Sequence, residues 1–123
     1  MVKLASQGQG NLMSYIPEQG DIVWLSLNPQ KGHEQSGRRP AVVLSPSSYN
    51  SKVGLAIFCP ITSKEKGYPF EIKLPTQCPI QGVILVDQIK SLDWKSRDAE
   101  FIFKITQVYL KEISRKLSLI LPD

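Results

Sequence analysis

Sulfur, histidine and long apolar runs are all scarce in this chain of 123 residues. The longest apolar stretch, Gly54 to Pro60, falls far short of the roughly 20 residues that a membrane-spanning helix requires. Met1 to Asn11 holds one lysine and no continuous apolar segment, so no secretory leader is expected. A cytoplasmic protein without membrane contact follows as the expectation. The two cysteines, Cys59 and Cys78, are then expected as reduced thiols. His33 is the sole histidine, so four nitrogen or sulfur ligands for a structural zinc cannot be gathered within one subunit. No metal and no other cofactor is expected. Acidic residues are outnumbered, 11 against 15 basic ones, for a net charge of +4. A basic surface suits a polyanionic partner without identifying one.

The length allows one compact domain and is too small for two. Residues 1–13 read as a flexible N-terminal extension, since Gln7 to Asn11 offers little to bury. Met13 is a plausible alternative start, and a single domain is expected over residues 14–123. Within it most signals are strands. Asp21 to Leu27 alternates until Asn28-Pro29 stops it, and a long polar loop follows over Pro29 to Arg39. Ala41 to Ser45 reads as a short apolar strand and Ser47 to Ser51 as a turn of helix. Gly54 to Thr62, Phe70 to Leu74 and Gly82 to Val86 read as further strands. Asp87 to Trp94 is expected to continue the sheet, and Ala99 to Lys104 to add an edge strand. Ile105, Val108, Tyr109, Ile113, Leu117, Ile120 and Leu121 recur at helical spacing, with Thr106 placed as N-cap and Pro122 just past the stop. Trp24 and Phe58 are expected in the core. The fold class is therefore mainly β with a C-terminal α-helix, a small bent sheet or partly open barrel capped by the helix.

The basic residues fall in three stretches: Lys31, Arg38 and Arg39, then Lys64 and Lys66, then Lys90, Lys95 and Arg97. Three sequence blocks overlap them. The first runs from Gly20-Asp21-Ile22-Val23-Trp24 through Gly32-His33-Glu34-Gln35-Ser36-Gly37 to Arg39-Pro40-Ala41-Val42-Val43. The second is Pro60-Ile61-Thr62-Ser63 with Lys66-Gly67-Tyr68-Pro69-Phe70. The third is Gly82 with Asp87-Gln88-Ile89-Lys90-Ser91. In order and spacing these resemble the MazF/PemK/Kid toxins of type II toxin–antitoxin systems, and the resemblance runs from about residue 16 to the C-terminal helix. It is closer to the MazF branch, because Leu85 stands where the other branch has an arginine two residues before the aspartate matched by Asp87.

The resemblance implies an SH3-like small β-barrel and a homodimer that binds single-stranded RNA along its interface groove. It implies sequence-specific cutting of mRNA without metal, by attack of the 2′-hydroxyl, leaving a 2′,3′-cyclic phosphate and a 5′-hydroxyl. A cognate antitoxin with an acidic, flexible C-terminal segment is implied as partner, with operator DNA bound only through the antitoxin complex. Two other readings stay open: a gyrase-inhibiting toxin of the same fold, and a non-catalytic nucleic-acid-binding relative. The first is disfavoured because the tryptophans stand at 24 and 94 rather than close to the C-terminus.

The implied reaction needs a base, an acid and a group that stabilises charge on phosphorus. Arg39 occupies the position of the family's central arginine, and its guanidinium suits paired contacts to phosphate oxygens. Thr62 matches the family's threonine, and its hydroxyl, like that of Ser63, is able to hold a phosphate or the 2′-oxygen. His33 has the pKa range for acid or base work, and Glu34 is able to act as base or to accept from a nucleobase amine. Base and acid remain open among Arg39, His33 and Glu34. Lys31, Gln35, Ser63, Lys64, Lys66, Asp87 and Gln88 are expected on the RNA side. Tyr68 is the aromatic placed to stack on an unpaired base, while Asp87 also suits a structural role.

Overall fold

The computed structural model describes residues 15–27 and 37–122. The expected extension over residues 1–13, and Lys31, His33, Glu34 and Gln35, lie outside them.

Among the described residues, seven antiparallel strands and two α-helices are laid out in chain order: β1 (Asp21–Ser26), β2 (Arg38–Val43), α1 (Ser47–Val53), β3 (Ala56–Thr62), β4 (Glu71–Lys73), β5 (Val83–Leu85), β6 (Lys90–Leu92), β7 (Glu100–Lys104) and α2 (Gln107–Ile120). The strand order is β4-β5-β3-β2-β1-β7. On its other edge β3 pairs first with β6, through Ala56 to Phe58, and then with β5, through Ile61 and Thr62. The expected fold class holds, with the sheet left open between its end strands β4 and β7.

The central strands read as apolar runs because both of their faces are covered. Ile22, Val42, Cys59, Ile61 and Ile84 belong to a larger core on the face where α2 packs. Val23, Leu25, Ala41, Val43 and Phe58 form a smaller one on the opposite face, closed by Trp94. Phe58 is fully buried as expected, but Trp24 is only half-buried. Asn50, on α1, ties these parts together from inside. Its amide donates to the carbonyls of Pro17 (2.8 Å) and Ser45 (3.0 Å), and its own carbonyl accepts from the Trp94 indole (3.1 Å).

Three expectations need correction. The second strand starts at Arg38, ahead of Pro40, because the Pro40 position still pairs with Trp24 of β1. The stretch from Asp87 to Trp94 is not one strand: residues Val86–Gln88 form a 3-10 turn before β6. The buried stripe of α2 is Tyr109, Leu110, Ile113 and Leu117. Val108 sits one residue, about 100°, away from that stripe and is 72% exposed; Ile120 and Leu121, at the end of the helix, are also exposed. Thr106 is the N-cap, as expected. No helix among the described residues is long and apolar enough to cross a membrane.

Candidate active site

Two prolines decide how the sheet ends. The β2–β3 ladder runs Val43 opposite Phe58, Val42 opposite Cys59 and Ala41 opposite Pro60, then stops. Continuing the register by two residues sets Arg39 against Thr62. That pairing is not made, because Pro40 has no N–H to donate and Pro60 faces Ala41 across the last rung. Beyond Ala41 the two strands are released from each other. Alternation along the strands puts Arg39 on the face of Ala41, and Thr62 on that of Pro60. An arginine and a threonine thus flank an opened ladder end on one face of the sheet.

Lys90 and Arg97 join Arg39. Arg39, Lys90 and Arg97 line one small depression of about 70 Å³, floored by Ala41, Phe58 and Pro60. Each cation is placed by a separate element. Lys90 stands opposite Phe58 at the start of β6. Arg97 sits on the turn anchored by Trp94 and donates to the carbonyls of Ser26 (3.0 Å) and Leu27 (3.2 Å). The Ser26 N–H returns a bond to the Arg97 carbonyl (2.8 Å). Arg39 is exposed, and among the described residues its guanidinium donates to the Arg38 carbonyl (3.1 Å).

The neighbouring cations go elsewhere. Arg38 turns to β7, with a 3.1 Å ion pair to Glu100. Lys95 lies over the Trp94 ring at 5.7 Å. Lys73 pairs with Glu65 at 3.6 Å. The three basic stretches of the sequence are therefore redistributed, and the cations that meet come from two of them.

Thr62 ends β3 half-buried, and its hydroxyl oxygen accepts the Lys64 N–H (3.1 Å). Its lone pair is engaged from the protein side, so the hydroxyl proton is left to donate outward. On its other edge Thr62 pairs with Val83 of β5. Gly82, just before Val83, has φ +140°, and its backbone lies directly against the Thr62 peptide group.

The segment after Thr62 is shaped by its own hydrogen bonds. The Glu71 carboxylate accepts the N–H groups of Lys66 (3.0 Å) and Gly67 (2.8 Å), with Gly67 at φ +81°. Ser63, Lys64 and Lys66 are all exposed along it. The Tyr68 hydroxyl donates to Asp87 (2.6 Å), and that bond, more than its slight burial, pushes the phenol up to about 12. The Lys116 ammonium of α2 donates to the Pro69 carbonyl. Asp87 thus holds this segment against the 3-10 turn, while its charge adds to burial in pushing the Cys59 thiol up to about 12. The tether uses the Tyr68 hydroxyl and leaves the two ring faces to other partners. Gln88, next to Asp87, is exposed.

Of the expected catalytic residues, Arg39 and Thr62 flank the opened ladder end, whereas His33 and Glu34 belong to the connection between β1 and β2, outside the described residues. Lys90, Arg97 and Gly82 fall in the third basic stretch and the third sequence block, without a site role expected of any of them. Lys90 and Arg97 are ordinary surface charges in sequence and become neighbours of Arg39 through the sheet. An isolated glycine opening an apolar run does carry a signal, since such glycines often mark close backbone approach.

Comparisons with known proteins identify the family. A model of the PemK-like, MazF-like toxins of type II toxin–antitoxin systems matches residues 18–121. The chain is 43% identical over 107 residues to the endoribonuclease toxin MazF of Escherichia coli K12, covering 87% of this chain and 96% of that one. Its fold is similar to the crystal structure of MazF from Deinococcus radiodurans, with a TM-score of 0.79 at 49% identity, covering 89% of this chain and 100% of that one. It is equally similar to a MazE-MazF structure from the same organism, with a TM-score of 0.80 at 44% identity over 89% of this chain and 98% of that one. With the matched model spanning nearly the whole described fold, the chain belongs to the PemK-like, MazF-like family of type II toxins.

Proposed function

We propose that the protein is an endoribonuclease toxin that cuts single-stranded mRNA at a short sequence, without a metal ion. The observation that carries this reading is the placement of Arg39 and Thr62 on the two strands that part at the end of the β2–β3 ladder, with Lys90 and Arg97 beside Arg39. A relative named endoribonuclease toxin MazF supports the same chemistry.

In this reading the scissile phosphate lies over the ladder end. Arg39 gives paired donors to its oxygens, which suits stabilisation of charge gathering on phosphorus. The Thr62 hydroxyl, oriented by Lys64, donates a further bond. The 2′-oxygen attacks phosphorus, a base takes its proton, the bond from phosphorus to the 5′-oxygen breaks, and an acid protonates that oxygen. The products are a 2′,3′-cyclic phosphate and a 5′-hydroxyl. His33, Glu34 and Arg39 share the acid and base roles. Lys31, Gln35, Ser63, Lys64, Lys66 and Gln88 contact the RNA, with the Tyr68 ring as stacking platform and Asp87 holding it in place.

The working form is a cytoplasmic homodimer restrained by an antitoxin. MazE-MazF structures of related chains support such a partner, and a basic toxin surface suits an acidic segment that folds as it binds. Operator DNA is reached through the antitoxin.

The test is to incubate the full chain with a long defined RNA in excess chelator, beside Arg39→Ala, and to map cut sites and end groups. Cuts at one short motif with cyclic phosphate ends, absent from the variant, support the reading. Intact RNA from a folded protein sinks it and leaves a toxin that acts by binding.

A further inference from the structure

The loop joining β4 to β5 builds a second cavity beside Thr62. Ser63, Pro75, Pro79, Ile80, Gln81 and Gly82 line a depression of about 520 Å³. Its shape is preformed. The Cys78 N–H donates to the Pro75 carbonyl (3.1 Å), and the Leu74 N–H donates to the Gly82 carbonyl (3.1 Å). Two prolines and Ile80 supply apolar walls, while the Gln81 amide, the Ser63 hydroxyl and the Glu65–Lys73 ion pair (3.6 Å) are the exposed polar groups along it.

The register fixes where this cavity stands. Lys73 pairs with Val83, and Val83 pairs with Thr62, so the loop emerges at the same end of the sheet as Thr62 and Arg39. Crossing the strands from β2 to β4 passes the Arg39 depression, then Thr62, then this cavity. The last step is one to two strand spacings, about 5–10 Å, which a neighbouring nucleotide spans. The close fit of Gly82 against the Thr62 peptide group sets the cavity wall directly beside the strand end that carries the Thr62 hydroxyl.

We infer that this cavity is a subsite for one unpaired nucleobase, that of a nucleotide adjoining the cleaved bond, and that Gln81 and Ile80 help to select it. The inference rests on the endoribonuclease reading above. Single-stranded RNA is recognised by bases splayed out into such slots, with ring faces against apolar side chains and base edges on polar ones. The Gln81 amide offers both donors and an acceptor for a base edge.

The experiment measures binding, so it stands apart from cleavage. A 2′-O-methyl oligonucleotide carries the sequence at which the full chain cuts, or the sequence it binds most tightly if it cuts none. A matched series lacks one base at each position in turn. Binding is titrated for the parent, Ile80→Trp, which fills the slot, and Gln81→Ala, an exposed change that spares the core. Removing one base beside the scissile phosphate is expected to weaken parent binding about tenfold and the Ile80→Trp protein less than about twofold, with Gln81→Ala in between. Equal penalties in all three proteins overturn the inference. A change in subunit assembly or antitoxin binding with the base penalty unaltered also overturns it, and gives the face to a protein partner. A parent that cuts no RNA sinks the nuclease reading, while the base-removal series still decides on the cavity.

Discussion

Gly82 and Thr62 are packed backbone to backbone: a Cβ on Gly82 would stand 3.0 Å from the Thr62 carbonyl carbon and closer still to its oxygen. The glycine also sits at φ +140°, where L side chains are strained. Gly82→Ala is therefore expected to destabilise the fold by about 1–3 kcal/mol from backbone strain alone. Pushing Thr62 by even about 1 Å is expected to reduce RNA cleavage up to about a hundredfold. Denaturant unfolding and single-turnover cleavage check the two effects. An alanine variant as stable and as active as the parent contradicts the close packing.

Arg39 is exposed and its role in the proposed mechanism is chemical, so its substitutions should separate activity from stability. Arg39→Ala is expected to leave unfolding free energy within about 0.5 kcal/mol while lowering the cleavage rate about 10²–10³-fold. Arg39→Lys keeps the charge and loses the paired donors, so its rate should fall between the two. Equal activity of the lysine variant and the parent argues that charge alone suffices.

Tyr68 and Asp87 make a pH-dependent tether. The phenol pKa is raised in the folded state, to about 12 from an ordinary value near 10. A raised pKa means the tether's contribution is full below about pH 10 and is lost as pH climbs towards 12. Tyr68→Phe should therefore lower stability by a small, constant amount up to about pH 10, and the gap to the parent should close between about 10 and 12. Paired urea titrations across that range measure it. A gap that persists above pH 12 assigns the difference to packing of the ring.

Lys90 lines the Arg39 depression, and its contribution should be electrostatic. Lys90→Ala is expected to weaken single-stranded RNA binding and to reduce the slope of log affinity against log salt by about 0.7, the value for one phosphate contact. An unchanged slope places Lys90 outside the RNA path.

What the sequence disclosed and what it withheld have physical causes. Strand β1 is legible because Ile22 to Leu25 is a short run of β-branched, aromatic and apolar residues followed in the sequence by the Asn28-Pro29 stop signal. The helical character of residues 107–120 is legible from period alone, but its inner face is not. Val108 fits a three-and-four pattern with Ile105, yet Ile105 lies before the helix and is held by its own bond to the Gly20 carbonyl. Arg39 and Thr62 are recognisable from their motifs. Their meeting is a matter of register across two prolines, which no local pattern encodes. Lys90 and Arg97 reach the same depression through β6 and the Trp94 turn, contacts that are non-local by nature. The loop from Pro75 to Gly82 carries no chemical motif, so its cavity is invisible until β4 and β5 are paired.

The most direct measurement concerns one oxygen atom. A synthetic RNA bearing the mapped cut sequence is compared with the same strand carrying a single 2′-deoxyribose on the 5′ side of the scissile phosphate. If the 2′-hydroxyl is the nucleophile at a phosphate held by Arg39 and Thr62, the substituted strand binds with nearly unchanged affinity and is not cut. Cleavage of that strand at the same bond would contradict the mechanism, because a nucleophile other than the 2′-hydroxyl would then be attacking phosphorus.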